Sequence, residues 1–225
     1  ERVPDMDREK ATNMGNFFPY GTDFYKYGKP LANGQLRGFA TNSRKAELFS
    51  SVLEDLGYDP IPTYTEPETP LGNPELAKEY PLRLTTSGRI SPLYHSEMRT
   101  PGHGTRSVVP WPMVWMHIND ARKLHIREGD WVWIETRMGR IRQKAHVGWD
   151  VPEGMVQVPP SWWYPELPAE EPWSQGVFEC AANVLVDDDP DLADKMTATW
   201  NARGLLCKVY KCTELDHDYK PADTQ

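Results

Sequence analysis

His117-Ile118-Asn119-Asp120-Ala121-Arg122-Lys123-Leu124-His125-Ile126-Arg127-Glu128-Gly129-Asp130-Trp131-Val132 is the stretch whose reading decides the fold. Asn119 or Asp120 is a helix cap, and Ala121-Arg122-Lys123-Leu124 is one short turn of helix behind it. Glu128-Gly129-Asp130 reads as a tight turn. Trp131-Val132-Trp133-Ile134-Glu135-Thr136 is rich in β-branched and aromatic residues and reads as a strand.

Outward from this stretch the same rhythm continues. Pro81 to Thr86 is a strand, and Val108 to Met116 ends in a second. Met138-Gly139-Arg140 turns the Trp131 strand back into Ile141 to Val147. Val151-Pro152-Glu153-Gly154 is a turn before the strand Met155 to Val158, and Leu205 to Tyr210 supplies the last. About six short strands with one-turn helices between them favour a closed barrel, because closure removes exposed edges. Upstream, Gly38-Phe39-Ala40-Thr41 is a short strand candidate. Ser43 is positioned to cap a helix running through Ala46 to about Leu56, which Gly57 stops. Residues 58–80 are rich in proline and acids and read as a linker. Residues 1–37 are polar and aromatic and expect neighbours; Phe17, Phe18, Tyr20, Phe24, Tyr25 and Tyr27 read as packing residues.

Composition narrows the function. The chain has 225 residues, a formal net charge of -8 and 39% hydrophobic residues. An acidic chain repels phosphate backbones, which excludes non-specific nucleic-acid binding, although a local basic cluster can still hold a small anion. No run reaches the ~20 apolar residues of a membrane span. Cys180, Cys207 and Cys212 are too few, and odd in number, for a disulfide framework. They lack a second ligand pair for zinc, so they read as buried free thiols. The chain opens Glu1-Arg2-Val3 with no methionine, which reads as a processed or truncated product. Its compartment, cytoplasmic or exported, stays open. Nine Trp and 21 Pro suggest long packed connections of the kind that build sites.

Three segments carry chemistry. Thr85-Thr86-Ser87-Gly88-Arg89 leaves a strand; Gly88 permits close backbone approach, and Arg89 can clamp a phosphate bidentately. Tyr94, His95, Ser96 and Arg99 follow within reach. Ser161-Trp162-Trp163-Tyr164-Pro165-Glu166 offers aromatics that either stack on a heterocycle or fill a core. Ala181-Ala182-Asn183-Val184-Leu185 holds an amide that either reads a ring edge or caps a turn. Phosphate-loop, dinucleotide-fingerprint and nucleophile-elbow motifs are all missing. No Gly-Ser pair exists for a self-processing decarboxylase on a related barrel.

Together these pieces resemble the dimethyl sulfoxide reductase family of molybdopterin enzymes from about Gly38 to Lys211. Gly38-Phe39-Ala40-Thr41-Asn42-Ser43-Arg44-Lys45-Ala46-Glu47-Leu48 is similar to the segment that joins that family's catalytic body to its terminal domain, with departures at Asn42 and Arg44. Leu84 to Arg89, with Tyr94-His95-Ser96, resembles its cofactor loop, Ser87 standing for a threonine. The His117–Val132 stretch resembles its barrel signature. Ala181 to Leu185 resembles its Asn-x-Leu segment. Pro62 to Pro67, Trp162 to Glu166 and Leu205 to Tyr210 look like the acetylene hydratase, polysulfide reductase and catechol dehydroxylase branch.

The resemblance implies a mainly β fold with short helices, a double-psi β-barrel. It divides the chain into 1–79 (the end of an upstream catalytic domain plus linker), 80–215 (the barrel) and 216–225 (a polar tail). It implies that Ser87, Gly88, Arg89, Tyr94, His95, Ser96, Arg99, Trp163 and Asn183 contact molybdopterin guanine dinucleotide. Arg203 is the nearest match to a basic residue that the family carries before its final strand. Molybdenum or tungsten, its protein ligand and an iron–sulfur cluster would belong to the full-length enzyme. No catalytic residue and no metal ligand is assigned to this chain, which alone would be inactive. The expected partners are the remainder of the catalytic subunit and an iron–sulfur electron-transfer subunit. The alternative is a separately encoded cofactor-binding or assembly subunit.

Overall fold

The computed structural model describes residues 25–61, 63, 73–86, 104–160, 162–194 and 197–213. The chain divides into two compact units at Tyr64/Thr65. The described part of the first is mostly turns. Gly38-Phe39-Ala40-Thr41 is not a strand but part of a tight loop, in which the Phe39 amide donates to the Arg44 carbonyl at 2.9 Å. The expected helix from Ser43 shortens to α1, Ser51–Asp55, because Ser50 rather than Ser43 caps it, accepting from the Leu53 amide. Ser43 instead shapes the loop, its amide bonding the Glu47 carboxylate at 2.8 Å. Gly57 ends the helix as expected, at φ +78°. Tyr27 stacks on Phe39 with centroids 4.4 Å apart, which fits the packing role read for it.

The second unit is a closed six-stranded barrel. Helix α2 (Pro74–Glu79) leads into β1 (Leu82–Thr85), followed by α3 (Gly104–Val108), β2 (Met113–His117), α4 (Ile118–Lys123), β3 (Trp131–Glu135), β4 (Arg140–Gly148), β5 (Met155–Gln157), α5 (Val177–Cys180) and β6 (Arg203–Lys211). The strands run β1-β5-β2-β4-β3-β6 around the cylinder, and β6 closes on β1. Two pairs, β1–β5 and β2–β4, are parallel. The other four are antiparallel. This is the expected double-psi β-barrel.

Alternation decides which side chains fill it. Leu82 and Leu84, Val114 and Met116, Val132 and Ile134, Ile141 and Ala145, Val156, and Leu205, Cys207 and Val209 form one continuous core. Each large buried side chain contributes about 1.5–3 kcal/mol on leaving water. Burial also pushes the Cys207 thiol well above its usual range, so this cysteine packs rather than reacts. Cys180 is buried too, whereas Cys212 is only half-buried.

Two expectations shift in detail. The Val108–Met116 region splits into α3 and β2. The cap before α4 is His117, not Asn119 or Asp120: the His117 ring accepts from the Asn119 amide at 3.2 Å. Asp120 is buried and accepts from the Gly154 amide at 2.6 Å, tying α4 to the turn before β5. A carboxylate there satisfies a turn amide that would otherwise be stranded beside the core.

Three of the nine tryptophans, Trp111, Trp131 and Trp133, pack at the outer face of β3 and β4. The Arg140 guanidinium lies 4.3 Å from the Trp133 ring centroid, and the Lys144 ammonium lies 4.4 Å from that of Trp111. Arg142 lies over Trp131 at 5.6 Å. Burial holds the Lys144 ammonium below its usual range. Trp162, Trp163, Trp173 and Trp200, by contrast, lie in the connections between β5 and β6.

At the β3–β6 seam, Glu135 faces Lys208, with Nζ 2.9 Å away, and accepts from the Tyr210 hydroxyl. Burial pushes the Glu135 carboxyl up, but Tyr210 and Lys208, with Arg140 nearby, outweigh it and hold the group below the usual carboxylate range. A depressed folded value stabilises the barrel above the unfolded carboxylate pKa, and that stability is lost as pH falls through the folded value. Urea unfolding of the chain should therefore weaken from about pH 5 downward. Glu135→Gln should flatten that part of the acid limb; an unchanged pH profile in the variant would refute the assignment.

Candidate functional site

Strand polarity gathers the candidate segments. The parallel and antiparallel pairings place the C-terminal ends of β1, β3 and β5 at one mouth of the barrel, with the N-terminal ends of β2, β4 and β6. At this mouth β1 runs out at Thr86, whose amide and hydroxyl both donate to the Ala202 carbonyl, the hydroxyl at 2.8 Å. Val158, just past β5, donates to the Thr85 carbonyl at 3.0 Å. The exits toward residues 87 and 161 are thus held side by side. Ser87, Gly88, Arg89, Tyr94, His95, Ser96 and Arg99 themselves lie outside the described residues.

Asn183 and Arg203 belong to the same mouth. Asn183 is exposed on a 3-10 turn, Ala182–Leu185. That turn is pinned to the end of β3 by the buried Thr136, whose hydroxyl donates to the Leu185 carbonyl at 3.0 Å and accepts from the Met138 amide at 3.2 Å. Gly139 permits the approach, since a Cβ there would lie 3.0 Å from the Val184 carbonyl oxygen. Arg203 opens β6 directly opposite Thr85 and is exposed. Among the described residues no carboxylate pairs with it.

The aromatic segment after β5 resolves into both of its readings. Trp162 and Tyr164 are buried at 1% and 2% exposure, while Trp163 between them is only half-buried. The two buried rings form a second core with Val109 and Cys180, flanked by Met113 and Leu167. Of the three rings, Trp163 alone is not fully buried.

Two buried polar atoms here have no partner in the chain. Gln143 is fully buried; its side-chain nitrogen donates to the Cys180 carbonyl at 3.0 Å, and its oxygen is unpaired. Trp162 Nε1 is likewise unpaired. An unmet buried polar group costs about 1–3 kcal/mol, so such atoms call for an outside partner. One mouth therefore combines an exposed amide, a half-buried indole and an arginine with no carboxylate partner among the described residues. This set suits a polar heterocycle bearing phosphate.

The opposite mouth does not offer the same chemistry. A cleft of about 480 Å³ there is floored by Pro81, Leu82, Leu124 and Val209. Its lysines are already neutralised, Lys123 by Glu153 at 2.6 Å and Lys208 by Glu135 at 2.9 Å. Among the described residues no group of three or more His, Cys, Asp or Glu could hold a metal ion. Nor is any described helix long and apolar enough to cross a membrane.

Sequence reasoning missed Arg106, Gln143 and Thr136. Arg106 and Gln143 are polar residues in segments that otherwise read as structural, and their partners lie 60 and 37 residues away. No local pattern could have marked them.

Comparison with known proteins gives a consistent result. The family described as "Molydopterin dinucleotide binding domain" matches residues 82–202, more than half of the chain. Acetylene hydratase of Syntrophotalea acetylenica is 39% identical over 94% of this chain and 30% of its own length. Dopamine dehydroxylase of Eggerthella lenta is 35% identical over 84% of this chain and 18% of its own. The solved structure of acetylene hydratase from Pelobacter acetylenicus superimposes with a TM-score of 0.71 at 38% identity, covering 78% of this chain and 24% of that one. The chain therefore spans less than a third of the length of these relatives.

Thr136→Val should remove the bond to the Leu185 carbonyl that fixes the Asn183 turn, along with the local Met138 bond, while keeping the side chain's size. The expected cost is about 1–3 kcal/mol in urea unfolding. Hydrogen exchange should also rise at residues 182–186; unchanged exchange there would show that the turn is held by other contacts.

Proposed function

Because the chain belongs to the molydopterin dinucleotide binding domain family, we propose that this mouth seats molybdopterin guanine dinucleotide as part of a molybdenum or tungsten enzyme's catalytic subunit. The observation that carries the reading is the convergence of the β1 exit, the β5 exit, the Asn183 turn and the unpaired Arg203 at one end of the barrel.

The roles follow from chemistry. Arg89 and Arg203 would offset pyrophosphate charge, a guanidinium being matched to phosphate geometry. Ser87 and the backbone at Gly88 would supply short donors beside it. Asn183 carries both a donor and an acceptor for a ring edge. Trp163 would stack on a ring face. Tyr94, His95, Ser96 and Arg99 follow the same strand exit in sequence. When bound, the cofactor's metal centre supplies the redox or atom-transfer chemistry, and this chain binds and orients it.

Membership of a longer subunit is supported from two sides. The match to acetylene hydratase covers 94% of this chain but only 30% of that protein. In addition, no described residue of 25–61 is buried, and Tyr25, Leu36, Leu48, Val52 and Ile61 are each more than half exposed. Apolar groups left in water in such numbers call for a covering partner. The remainder of a catalytic subunit is that partner in this reading, with an iron–sulfur subunit as electron donor or acceptor. The division into 1–79, 80–215 and 216–225 belongs to the same proposal.

The test is substitution in the full polypeptide carrying this sequence. Arg89→Ala and Arg203→Ala should each lower bound metal and guanine nucleotide about tenfold, one lost charge-assisted contact being worth about 1.5–3 kcal/mol. Metal and nucleotide content equal to the wild type in both variants would refute the proposed seat.

A further inference from the structure

We propose that Lys144, on the outer flank of the barrel, is a site of covalent acylation by small thioesters. Its neutral Nζ attacks the thioester carbonyl carbon. An N–C amide bond forms and the C–S bond breaks. The proton displaced from the amine goes to the departing thiolate, which leaves as a thiol.

Lys144 stands in β4 between Met113 of β2 and Trp131 of β3, and it is half-buried. Its Nζ lies 4.4 Å from the Trp111 ring centroid and 5.4 Å from that of Trp131. The two indoles meet edge to face with centroids 5.7 Å apart, and so form a corner around the amine.

Among the described residues, no carboxylate pairs with this ammonium, and the acids of the neighbouring segments are committed elsewhere. Asp130 takes Lys211 Nζ at 2.9 Å and the Arg127 amide at 2.8 Å. Glu128 takes the Val147 amide at 2.6 Å and lies 3.3 Å from His146, whose other ring nitrogen is 3.3 Å from Asp150. Glu179 pairs with Arg142 at 3.3 Å. Arg142 also brings a second cation to the Trp131 ring, at 5.6 Å. Burial thus acts on Lys144 without an offsetting carboxylate and holds its ammonium below the usual range. A desolvated lysine beside another cation keeps more of its amine neutral, and the neutral amine is the nucleophile.

Lys208 provides a contrast within the same barrel. It too is half-buried over a ring, with Nζ 4.9 Å from the Tyr80 centroid. Glu135 at 2.9 Å and Glu79 at 3.4 Å keep it charged, and the Glu135 bond holds its ammonium above the usual range. Acylation of Lys208 would break two ion pairs. Acylation of Lys144 removes a charge that has no such partner, and a small acyl group can lie against the two indoles instead.

The experiment treats the full polypeptide carrying this sequence, folded and at neutral pH, with a trace of S-acetyl-N-acetylcysteamine, an uncharged thioester. Peptide mass spectrometry reads the acetylation rate at each lysine. Lys144 should react at least about tenfold faster than Lys208, its larger neutral fraction outweighing a weaker intrinsic nucleophilicity. That lead should vanish in denaturing urea. Trp111→Ala opens one side of the corner and should erase most of the lead in the folded protein. Glu135→Gln should raise the Lys208 rate toward that of Lys144, and it serves as the test if Trp111→Ala does not fold. A Lys144 rate equal to or below that of Lys208, or a lead that persists in urea, would overturn the proposal. So would a lead left intact by Trp111→Ala or, where that variant misfolds, by Glu135→Gln.

Discussion

The antiparallel pairing of β1 with β6, Leu82 against Cys207 and Leu84 against Leu205, turns a sheet into a cylinder, and the rest of the structure depends on that seam. It joins strands more than 120 residues apart and leaves no unpaired edge in the barrel. Closure also dictates where binding can occur. The flanks are covered by stacked cations and indoles, the interior is filled, and only the two mouths have free backbone ends. The last rung of the seam is the doubled bond of Thr86 to Ala202, so the strand that carries the Ser87 loop and the strand that begins with Arg203 are fixed to each other before any ligand arrives.

A second core does for the mouth what the first does for the barrel. Trp162, Tyr164, Val109 and Cys180 lie outside the cylinder but against it, and Gln143 joins the two by donating from β4 to the Cys180 carbonyl. The segment from Trp162 to Glu166 is therefore not a free loop. Two of its rings anchor it, and the third stands half-buried between them. Anchoring by alternate residues suits a binding segment, because the buried rings hold the backbone and so fix where the intervening residue stands.

Much of this was legible in the sequence, for a physical reason. Strands with period-two burial, Gly129 and Gly154 at turns that require φ near +80°, and the one-turn helix after β2 are all decided within a few residues. The short strands and the closed barrel follow from such local rules, whereas the order of the strands around it does not. What was not legible depends on distant partners. Asn119 and Asp120 looked like caps because they have cap chemistry, yet His117 takes that place and Asp120 is turned inward to a glycine amide 34 residues on. Ser43 has cap chemistry too, but its loop is organised around Glu47. Of the site residues, the placement of Trp163 and Asn183 could be argued from aromatic and amide chemistry, whereas Arg106 reads locally as one more surface cation.

The distribution of positive charge completes the picture. A chain with net charge -8 can hold an anion only if its cations are not all spent. On the flank, Arg140, Arg142 and Lys144 are packed over tryptophan rings. At the far mouth, Lys123 and Lys208 face carboxylates. Arg106 is spent on Glu166, and Arg137 on Asp187. Arg203 is exposed at the rim of the candidate mouth and has no carboxylate beside it among the described residues. Local potential, not net charge, attracts a phosphate at short range, since screening removes distant contributions within about 8–10 Å. An exposed cation with no carboxylate beside it at the rim can therefore draw an anion to this mouth despite the chain's net negative charge.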